Sequence, residues 1–225
     1  MNRLESLRAV PVRKVAVLVL NHAILLAVCL GGDVPYVVLQ TLLAIELLLT
    51  NVATIALYPE RGARRHAFDT IKLAGGLAFI LFFVVISYGV VQERGSGHAL
   101  AVGFAQFSMV NFSNGAAMVG YIVLRLGWSL IQALRSSEPR VAWTKSNLVS
   151  GGTTFVAMAF MAFIGLIAGP ILFGVASMFD VGVSADALLD VLMVLTRFAT
   201  AMIGATFSEA EIEAGARQPY VDNTA

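Results

Sequence analysis

The chain has 225 residues, of which 58% are hydrophobic and only 13% are charged. Soluble domains contain about 25% charged and about 45–50% apolar residues. A compact soluble fold of this chain would lack the polar surface to cover its core, so the composition favours lipid as the surrounding solvent. The single cysteine, Cys29, excludes an intramolecular disulfide and a cysteine-rich metal site within one chain. The formal net charge of +1 gives no indication of a nucleic-acid partner.

Hydropathy over a window of about 19 residues predicts six membrane-spanning helices, and none of the apolar runs alternates with the period of two that indicates a strand. Most of the runs reach the roughly 20 residues that a helix needs to cross the hydrocarbon core. The predicted helices comprise residues 14–30, 34–58, 70–91, 98–126, 150–178 and 185–207. The sequence thus predicts an all-α, polytopic integral membrane protein. We expect this protein to have one transmembrane domain at 1–207 and a cytoplasmic tail at 208–225.

The first predicted helix follows basic residues, as the apolar region of a secretory signal does. Arg13 and Lys14 precede the apolar run, and Asn21 and His22 interrupt it. No small-x-small cleavage site follows, so we expect this segment to remain in the protein as a membrane span. His22 is the only histidine predicted to lie within a helix core.

The second predicted helix carries an acidic residue near its middle. Glu46 lies about 18 Å below the outer end of this helix at Val34, from the rise of a helix per residue. Thr50 and Thr54 follow at spacings of four and therefore share its face. An ionisable side chain at this depth costs free energy in lipid, so it is expected to face protein or water. Glu46 is therefore a candidate functional residue.

Basic residues that flank the predicted helices determine the orientation. They form three clusters, which all fall on one side of the six-helix arrangement. The clusters are Arg3, Arg8, Arg13 and Lys14; Arg61, Arg64, Arg65 and Lys72; and Arg125, Arg135, Arg140 and Lys145. Basic loops stay in the cytoplasm. We therefore predict a multi-pass protein of the plasma (inner) membrane with both termini cytoplasmic, and Arg125 is interpreted as the cytoplasmic end of the fourth helix.

The fourth and fifth predicted helices contribute neutral polar residues and a proline. Asn111 and Asn114 lie on one face of the fourth helix, and Asn111 falls at nearly the same depth as Glu46. In the fifth helix, Gly169 and Pro170 predict a kink, because proline removes a backbone donor and clashes with the preceding turn.

The sixth predicted helix carries a basic residue near its middle. Arg197 lies about 18 Å below Ala185, which matches the depth of Glu46 and predicts an ion pair between the two. Thr200 follows Arg197 by three residues on the same stripe, and Asp190 precedes Arg197 by seven. Because Asp190 is close to the outer end, it is interpreted as an acidic cap and topology signal.

These polar residues form one candidate site. The candidates for a binding site or pathway are Glu46, Arg197, Asn111, Asn114, His22, Thr50 and Thr200. Intramembrane polar groups favour a functional hypothesis, here a small channel or transporter for an ion, a proton or a small polar solute. Glu46 would respond to a proton or cation, and Arg197 would pair with it or bind an anion.

The alternative is a non-catalytic membrane subunit or scaffold, in which the same polar cluster is a structural lock. Small residues would then form interfaces with a second copy or a partner membrane subunit. These small residues are Ala116, Gly120, Gly165 and Gly169. The sequence does not decide between the two hypotheses.

The sequence lacks several motifs that mark catalytic or cofactor-binding sites. It contains no H-E-x-x-H, G-x-S-x-G or phosphate-binding G-x-x-x-x-G-K-[ST] pattern. With one histidine in a predicted helix core, the chain alone is not expected to hold a haem between two histidines. We therefore predict no catalytic residue, no metal ligand and no cofactor; the predicted partners are the lipid bilayer and another membrane subunit or copy.

Overall fold

A computed structural model describes residues 10–32, 34–57, 63–93, 101–102, 105, 112–178, 184–207, 210–212 and 214. This part of the chain contains six long α-helices and no strand. The helices are α1 (Val12–Gly31), α2 (Tyr36–Leu57), α3 (Ala63–Glu93), α4 (Phe112–Leu134), α5 (Pro139–Met178) and α6 (Ala185–Gly204). Each contains a segment long and apolar enough to cross a membrane. The predicted all-α, polytopic membrane architecture is confirmed.

Glycine, proline and serine determine where several helices begin and end. α1 ends at Gly31, and the Gly32 amide donates a hydrogen bond to the Val28 carbonyl at 3.1 Å. Pro35 then precedes α2, and its carbonyl accepts a hydrogen bond from the Leu39 amide at 3.0 Å. At the start of α6 the Ser184 hydroxyl accepts from the Ala187 amide at 3.1 Å, as an N-cap serine does.

The helix bounds differ most from the sequence prediction in α4 and α5. The fourth helix was predicted over 98–126 and the fifth over 150–178, whereas the structure has α4 over 112–134 and α5 over 139–178. Apolar residues resume after Arg125 and continue to Leu134, so the helix passes through that charge. Within 98–111, only 101–102 and 105 are described. The interpretation of Arg125 as the cytoplasmic end of α4 is therefore replaced by a position inside the helix.

α5 lies at the centre of the packing. It contacts α2, α3, α4 and α6, while α1 packs against α4 and α6. α2 in turn contacts α4 and α6. The helices that carry Glu46 and Arg197 are therefore neighbours, which is the condition under which those side chains can meet.

Glycine allows α3 and α5 to approach closely. A Cβ atom added at Gly165 would lie 3.2 Å from the Ser87 Cβ atom. The Ser87 hydroxyl donates to the Ala162 carbonyl of α5 at 2.9 Å and to the Phe83 carbonyl of its own helix at 2.8 Å. Gly165 thus packs inside the chain, whereas a Cβ at Gly120 would meet no atom within 4 Å.

The outer surface of the bundle is apolar. Leu124 is 76% exposed, Ile167 is 68% exposed and Phe79 is 58% exposed. Only 11% of the α1 span and 17% of the α4 span are buried, against 39% of the spans in α2, α3 and α6. Such extensive apolar exposure is stable in hydrocarbon and unfavourable in water, so the helices lie in a lipid environment.

Candidate functional site

One buried carboxylate contacts two arginines at the middle of the bundle. Glu46 of α2 is 1% exposed. Its Oε1 atom forms an ion pair with Nη2 of Arg125 from α4. Its Oε2 atom lies 3.8 Å from Nη2 of Arg197, which α6 supplies and which is 5% exposed. We refer to these three residues as the charged triad; it connects α2, α4 and α6.

The structure places the side chains of Glu46 and Arg197 next to each other, as the sequence predicts, and it adds Arg125. Arg125 makes the closer of the two contacts with Glu46. Hydropathy alone does not identify Arg125, because a basic residue at the end of an apolar run predicts the end of a helix. A window from Ala116 to Leu134 is apolar enough to span a membrane with Arg125 in its interior, and that window is the signal that could have identified it.

A fourth helix helps to position the charged triad. The Ser150 hydroxyl of α5 accepts a hydrogen bond from Nη1 of Arg125. This contact gives Arg125 a neutral partner as well as the carboxylate, and it orients the guanidinium toward α2. Four of the six helices therefore meet at the triad through side chains.

Asp190 is a further buried acidic residue near the triad. Asp190 is 1% exposed on α6. It precedes Arg197 by seven residues, so its backbone lies about 10 Å closer to the N-terminal end of the helix. Its interpretation as an acidic cap is wrong, because Ser184 caps α6 and Asp190 faces the interior. Among the residues that the structure describes, Asp190 thus adds a second buried carboxyl group to that of Glu46.

Buried polar groups also lie toward both ends of the bundle. Toward the N-terminal end of α2, Tyr36 and Gln40 share a face of the helix and are both 0% exposed. Toward its C-terminal end, the Thr54 hydroxyl accepts a hydrogen bond from the Trp143 indole at 2.9 Å. Polar side chains are thus present along the length of α2, on both sides of Glu46.

Thr50 and Thr200 support the backbone of the helices that carry the charges. The Thr50 hydroxyl donates to the Glu46 carbonyl at 2.9 Å, so it binds the backbone of its own helix. The single hydrogen of the Thr200 hydroxyl is shared among the Arg197 carbonyl at 2.9 Å, the Thr196 carbonyl at 3.1 Å and the Thr153 carbonyl of α5 at 3.2 Å. Thr200 therefore joins α6 to α5 one turn from the triad.

His22 lies beside the triad and not in contact with its carboxylate. Its Nδ1 atom is 2.7 Å from the Leu18 carbonyl of its own helix, which can accept a hydrogen bond only from a protonated Nδ1. The imidazole packs edge-on against the ring of Phe198, with a centroid distance of 5.4 Å. Since Phe198 follows Arg197 directly, His22 packs at the depth of the triad.

The two predicted asparagines are not among the side chains that the structure describes. Asn111 lies outside the described residues. Asn114 is in the first turns of α4, and its side chain is not described. Its backbone position is about 16 Å from Arg125 along the helix. Both asparagines therefore remain predictions.

A groove of about 500 Å³ opens between the N-terminal half of α5 and the C-terminal half of α6. Its walls are mostly apolar, and Thr200 brings it within one helical turn of Arg197. The lining residues are Gly152, Thr153, Val156, Thr200, Ile203, Gly204, Phe207, Glu211 and Ile212.

Comparisons of the chain with protein-family models, with curated proteins and with solved structures find no match. The site is therefore interpreted from its own geometry.

Proposed function

We propose that this protein is a small integral-membrane channel or transporter for an ion, a proton or a small polar solute. The charged triad, buried between α2, α4 and α6, is the observation that supports the proposal. Ionisable residues in a membrane interior are costly and commonly line pathways or binding sites. The polar groups above and below the triad extend this interior toward both sides of the bundle.

The two arms of the charged triad have different strengths. Arg125 contacts Glu46 directly and is also held by Ser150, while Arg197 approaches the other carboxylate oxygen at 3.8 Å. That distance exceeds the range of a charge-assisted hydrogen bond. The contact on α6 is therefore the one that a solute can replace at the smallest cost, which makes Arg197 the residue proposed to meet it.

We propose the plasma (inner) membrane as the location, with both termini in the cytoplasm. Six spans return the chain to the side on which it starts. Arg125 no longer contributes to the orientation, because it lies inside α4. Arg135, Arg140 and Lys145 remain at the α4–α5 turn and in the first turns of α5, which supports a cytoplasmic position of that turn.

A second candidate is a non-catalytic scaffold or subunit in which the charged triad fixes helix order. The observation in its favour is that the triad and Ser150 join four helices. Ala116 is exposed and Gly120 has open space beside it, so this face of α4 could pack against a second copy or a partner subunit. Gly165 is occupied within the chain and does not serve such an interface.

A flux assay in proteoliposomes tests the first proposal. The panel contains protons, alkali cations, halides and small carboxylates. We expect flux of at least one class above that of protein-free vesicles, reduced about tenfold or more by Arg197→Gln. Arg135→Gln is the matched control, since Arg135 is exposed at the end of α4. Absence of flux across the panel, with a stoichiometric membrane partner that copurifies, would favour the scaffold.

A further inference from the structure

The groove between α5 and α6 is separate from the charged triad, since its described lining includes none of the three triad residues. Its α5 wall, from Gly152 to Val156, and its α6 wall, from Thr200 to Gly204, lie within helix segments apolar enough to cross a membrane. Val156 is 53% exposed and Ile203 is 49% exposed, so the groove opens on the apolar outer surface of the bundle. The hydrocarbon chains of the surrounding lipid therefore have direct access to it.

The hydroxyl groups that line the groove already use their hydrogen-bond donors. The Thr153 hydroxyl donates to the Ser150 carbonyl at 3.0 Å, and the Thr200 hydroxyl hydrogen is shared among carbonyls of α5 and α6. The charged lining residue, Glu211, follows the membrane-spanning segment of α6 and lies outside it. Within the two spans, the described lining thus offers a ligand neither a charge nor a hydroxyl donor, which suits an apolar chain better than a polar solute.

Gly152 leaves space in the groove that packing within the described chain does not require. A Cβ atom added at Gly152 would meet no atom within 4 Å, whereas one at the neighbouring Gly151 would lie 3.6 Å from Cδ2 of Leu47. Glycine inside a helix is destabilising relative to alanine. Since no described residue needs the absence of a side chain at Gly152, the effect of this glycine is to widen the groove.

The size of the groove distinguishes a lipid chain from a helix of a second copy. Its α6 side extends from Thr200 to Phe207, or about 10 Å at the rise of a helix, and the hydrocarbon of one leaflet is about 15 Å thick. A volume of about 500 Å³ corresponds to roughly one turn of a helix about 11 Å wide. One turn does not supply the roughly 800 Å² per partner that a stable protein interface buries. A single flexible chain fits both the length and the volume.

We propose that this groove binds one acyl chain of a membrane lipid, taken from the leaflet that surrounds the C-terminal end of α6. The chain makes the dispersion contacts that the walls would lack if the groove were empty. The lining recognises the hydrocarbon chain and not the headgroup. This inference goes beyond the proposed function and does not depend on it, because the groove and the charged triad share no residue.

Thermal unfolding of the full chain in a bile-salt detergent, which has no flexible alkyl chain to compete, tests the proposal. The wild type should show a saturable rise in unfolding temperature with palmitoyl lysophosphatidylcholine. Glycerophosphocholine, the same headgroup without a chain, should have no effect. Gly152→Leu fills the groove with its own side chain and should need at least about tenfold more lipid for half-saturation. Gly120→Leu is the matched control, since Gly120 has open space but does not line the groove, and it should behave as the wild type does.

Native mass spectrometry after extraction from palmitoyl-oleoyl phosphatidylcholine vesicles gives a second measurement. The wild type should retain one more lipid per chain than Gly152→Leu does. Gly152→Ala fills less of the groove, should weaken binding to an intermediate degree, and decides the question if Gly152→Leu does not fold. Equal lipid binding by the wild type and the Gly152 variants, or equal responses to the two phosphocholine compounds, would overturn the proposal. A wild-type dimer that Gly152→Leu converts to a monomer would also overturn it and would assign the groove to a second copy.

Discussion

Two regions of the bundle hold helices together by different means. Between α3 and α5, the small residue Gly165 lets the helices approach, and the Ser87 hydroxyl donates to carbonyls on both sides. In the charged triad, Glu46 of α2 contacts Arg125 and Arg197 and leaves guanidinium donors without acceptors. The first contact is neutral and satisfied, while the second is charged and incompletely satisfied.

The difference indicates where function is to be sought. α3 and α5 approach at Gly165 and share a neutral hydroxyl hydrogen bond, and small residues with hydroxyl groups are a common way to join membrane helices. Burying ion pairs is a more costly way to achieve the same end, because desolvation can exceed the attraction between the charges. A buried charged cluster is therefore poorly explained by helix packing alone. The predictions below test this comparison.

Removal of the carboxylate should produce the largest loss of stability. Glu46→Gln removes the carboxylate that contacts both Arg125 and Arg197, and breaking a buried ion pair typically costs about 3–5 kcal/mol of unfolding free energy. Unfolding in detergent monitored by circular dichroism measures the change. Asp69→Asn is the matched control, since Asp69 is exposed on α3 and its substitution should change stability by less than about 0.5 kcal/mol. Equal stability of Glu46→Gln and the wild type would show that the charges are not coupled to folding.

A methyl group between α3 and α5 should have the next largest effect. In Gly165→Ala the new Cβ would lie 3.2 Å from the Ser87 Cβ, so Ser87 must move by a few tenths of an ångström. Overpacking of this kind costs about 1–3 kcal/mol. Gly120→Ala is the control, because its Cβ meets nothing within 4 Å. Flux per folded molecule should stay unchanged in both variants, since neither residue contacts the charged triad; a selective loss of flux in Gly165→Ala would contradict the contrast between the two regions.

The sequence predicts the fold and two of the three residues of the charged triad for the same physical reason. Lipid requires long apolar helices, and a charged residue within such a helix must find a partner, so Glu46 and Arg197 could be paired from their depths. Arg125 was missed because a basic residue beside a predicted loop is also what orients a membrane protein. Asp190 was misinterpreted because an acid near a helix start is ordinarily a cap, and only the position of Ser184 excludes that role.

A double-mutant cycle between Glu46→Gln and Arg197→Gln measures the weaker arm of the charged triad. If the two side chains interact in the folded protein, the double variant should recover about 0.5–3 kcal/mol relative to the sum of the single changes. Arg197→Gln alone should cost less stability than Glu46→Gln, because the pair of Glu46 and Arg125 remains. Additive effects of the two substitutions would place Arg197 outside the ion pair and would weaken the comparison on which the proposed function depends.

The smallest expected effect separates support within a helix from support between helices. Thr50 donates only to the Glu46 carbonyl of its own helix, whereas Thr200 donates to the Thr153 carbonyl of α5 as well as to its own helix. Thr200→Val should therefore lose about 0.5–1 kcal/mol more stability than Thr50→Val, the typical range for a hydrogen bond between membrane helices. Thermal unfolding of the two variants, matched in shape and chemistry, measures the difference. A larger loss of stability in Thr50→Val would indicate that the Thr50 hydroxyl stabilises the Glu46 carboxylate itself. It would also indicate that the hydrogen bond from Thr200 to α5 contributes little to the packing of α5 against α6.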